Sequence, residues 1–253
     1  MFRIAVAILL LTTAMVHAAD KLPDGQSLDL FLLIGQSNMA GRGVPEAEDK
    51  TAHPRVWTLT KTNDWAPAVD PLHFDKPTAA GVGPGLSFGK TIAEKQPKSF
   101  IGLIPAAVGG TSIDEWNKGD KLYDAAVRRA KAAMAHGKIK GILWHQGEAD
   151  SEPDAVKAYP AKLAKLIANL RTDLNAPDVP VIVGTLGDFR QPPPTAFNAM
   201  IAQTPKLIPH TACVLAAGLK DKNDGRHFTA EAQREFGRRY AAAYLSLIQS
   251  DEK

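Results

Sequence analysis

Five short apolar runs punctuate the chain, at 31–34, 100–104, 138–144, 179–186 and 213–217, and each gives way to glycine or polar residues within a few positions. Unbroken apolar runs of this length read as strands buried on both faces, the pattern of a parallel sheet covered by helices. Between them lie stretches of helical period. Residues 84–96 carry Pro84 near the start and Leu86, Phe88, Ile92 and Ala93 on one broad face; 123–136 are Ala-rich and amphipathic; 152–174 place Val156, Tyr159, Leu163, Leu166, Ile167 and Leu170 at helical spacing. Residues 195–207 and 229–248 read as two more helices. Pro160 lacks an N–H, so the 152–174 helix is expected either to kink or to start there. A further stretch, 55–60, alternates and is β-branched like a strand, inside an otherwise loop-like segment from 43 to 85. Strands alternating with helices, without repeats or linkers, predict one α/β domain over 20–253. Its architecture is expected to be three-layer α/β/α, on a doubly wound five-stranded parallel sheet.

Composition narrows the functional classes. The 253 residues are 45% hydrophobic and 23% charged, enough for one sizeable core. The net charge of +3 is small and no dense Lys/Arg run occurs, so nothing asks for a nucleic-acid partner. Residues 1–19 carry Arg3, an apolar stretch and Val16-His17-Ala18, the pattern of a secretory signal cleaved after Ala18 or Ala19. Export to the periplasm or beyond is therefore expected, with no membrane segment in the mature chain. Cys213 is the only cysteine and lies in an apolar run, so it is read as a small core residue. No Cys/His pattern suits a metal, His53 and His73 included, and no glycine motif suits a dinucleotide or phosphate, so no cofactor is expected.

The chemistry gathers where the apolar runs end. Ser37 follows the first run in Gly35-Gln36-Ser37-Asn38, at the edge where open α/β sheets bind ligands, and is the candidate nucleophile. Such a serine also serves as an ordinary helix cap, so its company decides. The second run leads to Gly109-Gly110-Thr111, whose unscreened N–H groups suit an oxyanion. The third ends in His145-Gln146-Gly147-Glu148, polar groups a core does not want. There Gln146 is placed to aim a side-chain N–H at an oxyanion, Glu148 to orient a neighbour or bind a substrate hydroxyl, and His145 to form a polar wall. Past the fifth run, Asp224-Gly225-Arg226-His227 brings a carboxylate and an imidazole into one turn, a base with its orienter. Trp57, Trp65 and Trp116 suit either a sugar-stacking wall or a core.

Gly35-Gln36-Ser37-Asn38-Met39, Gly109-Gly110-Thr111, His145-Gln146-Gly147-Glu148 and Asp224-Gly225-Arg226-His227-Phe228 occur in the order of the blocks of the SGNH hydrolase superfamily, and the chain resembles its branch of sialate O-acetylesterases and family-six carbohydrate esterases, which includes acetylxylan esterases. Gln36-Ser37 replaces the usual Asp-Ser and Gln146 the usual Asn, both in keeping with that branch. The resemblance implies a flavodoxin-like fold and a serine esterase that removes acetyl groups from carbohydrates, acetylated xylan or O-acetylated sialic acid. It implies Ser37 as nucleophile, His227 as base, Asp224 as orienter in competition with Glu148, and the oxyanion held by Ser37, Gly110 and Gln146. Gln36, Asn38, Glu148, His145 and Trp116 are the further candidates around the substrate. An inactive carbohydrate-binding protein and a hydrolase of another acyl group are the alternatives.

Overall fold

The computed structural model describes Leu22 and residues 25–251; the secretory signal expected over 1–19 lies outside the described residues. Among these residues seven strands follow in chain order: β1 Leu28–Gly35, β2 Val56–Leu59, β3 Trp65–Pro67, β4 Phe100–Pro105, β5 Gly137–His145, β6 Val181–Gly184 and β7 Thr211–Val214. They form one sheet in the order β3-β2-β4-β1-β5-β6-β7. Every pairing is parallel except that of β3, which lies antiparallel on β2 at the edge. The five expected strands lie side by side as β4-β1-β5-β6-β7; β2 adds a sixth parallel strand and β3 an antiparallel edge beyond the expected count. β2 joins because Val56 to Thr58 register beside Ile101 to Leu103, and β3 is only three residues, too short to show a period.

The middle strand explains the layers. Leu28, Leu30, Leu32 and Ile34 face one side of β1, against Tyr123, Ala126 and Ala130 of α3 (Lys121–Ala133) and Tyr159, Leu163 and Ile167 of α4 (Pro153–Asp173). Phe31 and Leu33 face the other, against Leu86, Phe88 and Ile92 of α2 (Pro84–Lys95) and Phe236 and Tyr240 of α7 (Ala230–Asp251). Both faces are covered, so β1 has no polar side to alternate with. Each such side chain contributes about 1.5–3 kcal/mol on burial. α4 starts at Pro153, not Pro160, and runs through Pro160 as one helix. The buried stripe of Tyr159, Leu163, Leu166 and Ile167 holds it against the roughly 3 kcal/mol a mid-helix proline costs. The expected helix over 195–207 is instead two, α5 (Thr195–Ile201) and α6 (Thr204–Leu207). Pro205 has no N–H for the Ile201 carbonyl, which accepts the Thr204 hydroxyl at 2.7 Å instead.

Candidate active site

The turns after β1, β4, β5 and β7 all leave the carboxyl edge of the sheet, and that edge gathers the polar residues. β1 ends at Gly35, with φ of +128°, where an added Cβ would stand 2.1 Å from the His145 carbonyl oxygen. Only glycine lets the two strand ends approach so closely. The Gln36 N–H then donates to the same His145 carbonyl at 2.9 Å, turning the chain abruptly into α1 (Ser37–Ala40). Ser37 opens this helical turn, yet its hydroxyl does not cap it: Oγ lies 3.2 Å from His227 Nε2.

His227 is held from behind by the next side chain. Phe228 is fully buried and stacks edge-on with Phe189 at 5.1 Å and His145 at 6.1 Å, anchoring the loop after β7 in the core. Asn38 ties the same loop to α1. Its Nδ2 donates to the Arg226 carbonyl at 3.0 Å, and its Oδ1 accepts the Phe228 N–H at 3.3 Å. Asp224 Oδ2 meets His227 Nδ1 at 2.7 Å, while Oδ1 accepts the N–H groups of Arg226 at 2.9 Å and His227 at 2.8 Å. Partial burial raises the Asp224 pKa, but the His227 ring and these two N–H groups more than offset it, bringing it to about 2. The carboxylate is thus ionised at neutral pH and positioned to fix the tautomer that leaves Nε2 open toward Ser37.

Glu148 does not compete for this place. Its Oε1 accepts Asn38 Nδ2 at 2.6 Å and lies 3.7 Å from the buried His145 Nε2. Burial raises the Glu148 pKa; the His145 ring and Asn38 amide lower it further, leaving it below the usual range. Glu148 and Gln36 line the cleft beside Ser37, whereas His145 and Asn38 stand behind it.

Two expectations need correction. The Gln146 side chain does not face the cleft: its Nε2 donates to the Thr111 carbonyl at 3.0 Å, to Gln36 Oε1 at 3.3 Å and to Asp150, and its Oε1 accepts the Tyr159 hydroxyl at 2.8 Å. Both amide groups are occupied inside the protein. Trp116 is likewise core, 1% exposed, its ring edge-on to Trp144 at 5.5 Å and its Nε1 donating to Thr111 Oγ1 at 3.2 Å. Trp57 is buried and Trp65 packs on His136, so no tryptophan forms a sugar wall. Cys213 packs partly buried against the core, its thiol pushed up to about 11 by burial.

Gly110, with φ of +83°, follows β4, and among the described residues no group accepts the N–H of Gly110 or of Ser37. These free donors border a cleft of about 570 Å³ lined also by Arg42, Lys76, Arg190, Lys222 and Arg226. The cluster is assembled by the fold: Arg42, Lys76 and Arg190 come from three separate segments, and Lys222 and Arg226 from a fourth. A larger hollow, about 950 Å³, lies at the opposite edge of the sheet around Asp29 and Lys138, away from Ser37 and His227.

Comparison with known proteins defines the class. The fold is that of the crystal structure of an Arabidopsis thaliana protein, with a TM-score of 0.79 and 33% identity over 86% of this chain and 97% of that one. It is also that of NanS, with a TM-score of 0.75 and 20% identity over 88% and 99%. In sequence the chain is 36% identical, over 86% of its length and 90% of the relative's, to a probable carbohydrate esterase of Arabidopsis thaliana. The protein is a carboxylic ester hydrolase. More particularly, residues 27–246 match the family described as carbohydrate esterase, sialic acid-specific acetylesterase, and the chain belongs to it.

Proposed function

We propose that this protein releases acetate from an O-acetylated acidic sugar through an acyl-enzyme on Ser37. The observation that carries the reading is the unbroken contact series Ser37 Oγ, His227 Nε2, His227 Nδ1, Asp224 Oδ2, at 3.2 and 2.7 Å. Ser37 Oγ bonds the acetyl carbon while its proton passes to His227 Nε2. The Ser37 and Gly110 N–H groups receive the negative oxygen of the tetrahedral intermediate. Collapse expels the sugar oxygen, which takes the proton from His227. Water then repeats the sequence on the acyl-enzyme, freeing acetate and restoring Ser37. A contact series this complete supports catalysis over a binding module. The leader pattern at 1–19 supports a reaction outside the cytoplasm.

The acidic sugar follows from the cleft walls. Five cationic side chains and two carboxylates, Glu148 and Asp224, line the cleft, Arg42 being paired with the buried Asp75, and among the described residues lining the cleft none is Trp, Tyr or Phe. A neutral xylan chain is ordinarily held by aromatic stacking; a carboxylated sugar is held by Arg and Lys. Among the described residues Arg226 and Lys76 make no ion pair with a carboxylate, and Lys76 Nζ approaches within 3.7 Å of where a Gly110 Cβ would stand. O-acetylated sialic acid therefore fits better than acetylated xylan. The test compares acetate release from O-acetylated sialic acid, its carboxyl methyl ester and acetylated xylan, with Arg226→Gln and Lys76→Gln beside wild type. Each exposed charge is expected to be worth roughly 2- to 10-fold in kcat/KM on the free acid and nothing on the methyl ester. Xylan as the better substrate, or equal rates on acid and ester, would overturn the substrate assignment.

A further inference from the structure

The glycine turn after β4 is not held by its own sequence alone. Asp75, from the long loop between β3 and α2, accepts the Gly109 N–H on Oδ2 at 2.8 Å. The same Oδ2 accepts Arg42 Nη2 at 2.6 Å, and Oδ1 accepts Nη1 at 3.4 Å. Arg42 Nη1 in turn donates to the carbonyl of Gly41, at the end of the α1 turn, at 2.7 Å. Both side chains of the pair are almost completely buried, at 5% and 1% exposure. Gly109 itself is wedged: an added Cβ would meet Arg42 Nη2 at 2.4 Å, Asp75 Oδ2 at 3.1 Å and Ser37 Cβ at 3.3 Å. One buried ion pair thus ties the turn carrying Ser37 to the turn carrying Gly110.

We infer that Arg42 and Asp75 are positioning residues that set the oxyanion donors of this esterase against each other. The inference rests on the Ser37 acyl-enzyme reading. Asp75 occupies the Gly109 N–H, so Gly110 N–H is the donor of that turn left for substrate, and the glycine peptides are fixed before substrate arrives. Arg42 supplies the other half: by grasping Gly41 and Asp75 together it fixes the distance from the Ser37 N–H to the Gly110 N–H. A buried charge-assisted fork is rigid where a neutral loop contact is not. Preorganised donors matter for the transition state and little for the bound ester, because the negative charge exists only in the former. Glu148 and Asn38 do the corresponding work on the histidine side, but neither touches the glycine turn.

Asp75→Asn, with its amide oxygen in the place of Oδ2, keeps the acceptor for Gly109 and Arg42 Nη2 but removes the negative charge and sets an amide N–H against Arg42 Nη1, so the charge-assisted two-point fork is lost. It is expected to lower kcat on an aryl acetate about 10- to 100-fold with KM within threefold of wild type. The inhibition constant of a phenylboronate, whose tetrahedral adduct on Ser37 puts an oxygen in the same place, is expected to rise in proportion. That of acetate, the product, is expected to stay constant. Arg42→Lys preserves the charge opposite Asp75 but gives up the two-point fork and the Nη1 bond to the Gly41 carbonyl, so it keeps the test available where Asp75→Asn folds poorly; a loss of about tenfold in kcat with the same boronate dependence is expected. A merely structural pair would lower melting temperature with kcat per folded molecule intact, or weaken boronate and acetate equally, and either result overturns the inference. An inactive wild type, or activity surviving in Ser37→Ala, would instead overturn the acyl-enzyme reading beneath it.

Discussion

Asp224→Asn isolates the orienting carboxylate with the least disturbance. Asp224 Oδ1 is pinned by two backbone N–H groups, from Arg226 at 2.9 Å and His227 at 2.8 Å, and Oδ2 faces His227 Nδ1 at 2.7 Å. In the variant the amide oxygen keeps the two N–H groups, which forces the amide nitrogen into the place of Oδ2. A donor then faces Nδ1–H. The imidazole relieves this by carrying its proton on Nε2, where it donates to Ser37 and can no longer take the hydroxyl proton. The corresponding exchange in a serine protease costs about 10⁴ in kcat, or roughly 5.4 kcal/mol of barrier. Stability is expected to change little, because the Asp224 side chain is a third exposed and its ion pair is screened by water. Steady-state kinetics on an aryl acetate, with a thermal melt of each protein, makes the comparison. A variant that keeps more than about a tenth of wild-type kcat would refute the orienting role. The pH sign follows from the lowered pKa of about 2, against 3.8 for the free carboxyl. The ionised Asp224 favours the folded site fully above about pH 4, and that contribution drains as pH falls through about 2. Activity lost at milder acidity belongs to another group.

Gly110→Ala meets no backbone, Lys76 Nζ being its nearest neighbour at 3.7 Å, but its φ of +83° is strained for alanine by roughly 1–2 kcal/mol. Relaxation of that strain turns the N–H, so kcat is expected to fall about 100- to 1000-fold with a small drop in melting temperature, read from kinetics and a melt together. His73 is fully buried, and desolvation depresses its pKa from 6.5 to about 4. The unfolded chain therefore binds the proton first, and stability is lost as pH falls from 6.5 toward 4; urea unfolding at about pH 7 and about pH 5 is expected to differ by about 2 kcal/mol from this residue alone, and His73→Gln is expected to remove that difference.

Much of the site was legible because polar residues at the ends of apolar runs are conspicuous. Ser37 and Gly110 stand within five residues of the ends of β1 and β4, which are buried on both faces, and Asp224 and His227 share the one loop between β7 and α7. Gln146 and Trp116 escaped for one shared cause: direction. Gln146 sits at a strand end, yet its amide is turned inward by Asp150 of its own turn and by Tyr159 and Thr111 from two other segments. Trp116 follows a glycine turn, but a short helical turn, Ile113–Trp116, folds its indole back onto Trp144. Arg42 and Asp75 lie 33 residues apart, and Asp75 falls in a loop without period. β3 escaped for want of length.

The central claim is that acetate leaves through a covalent bond to Ser37, and the most direct measurement is intact-protein and peptide mass spectrometry after rapid acid quench of wild type and Ser37→Ala mixed with an aryl acetate. Wild type is expected to carry one acetyl group on the peptide containing Ser37 and to release acetate on turnover, while Ser37→Ala carries none and falls to background. Acetate release at the wild-type rate by Ser37→Ala, or an acetyl group trapped on any other residue, would contradict it.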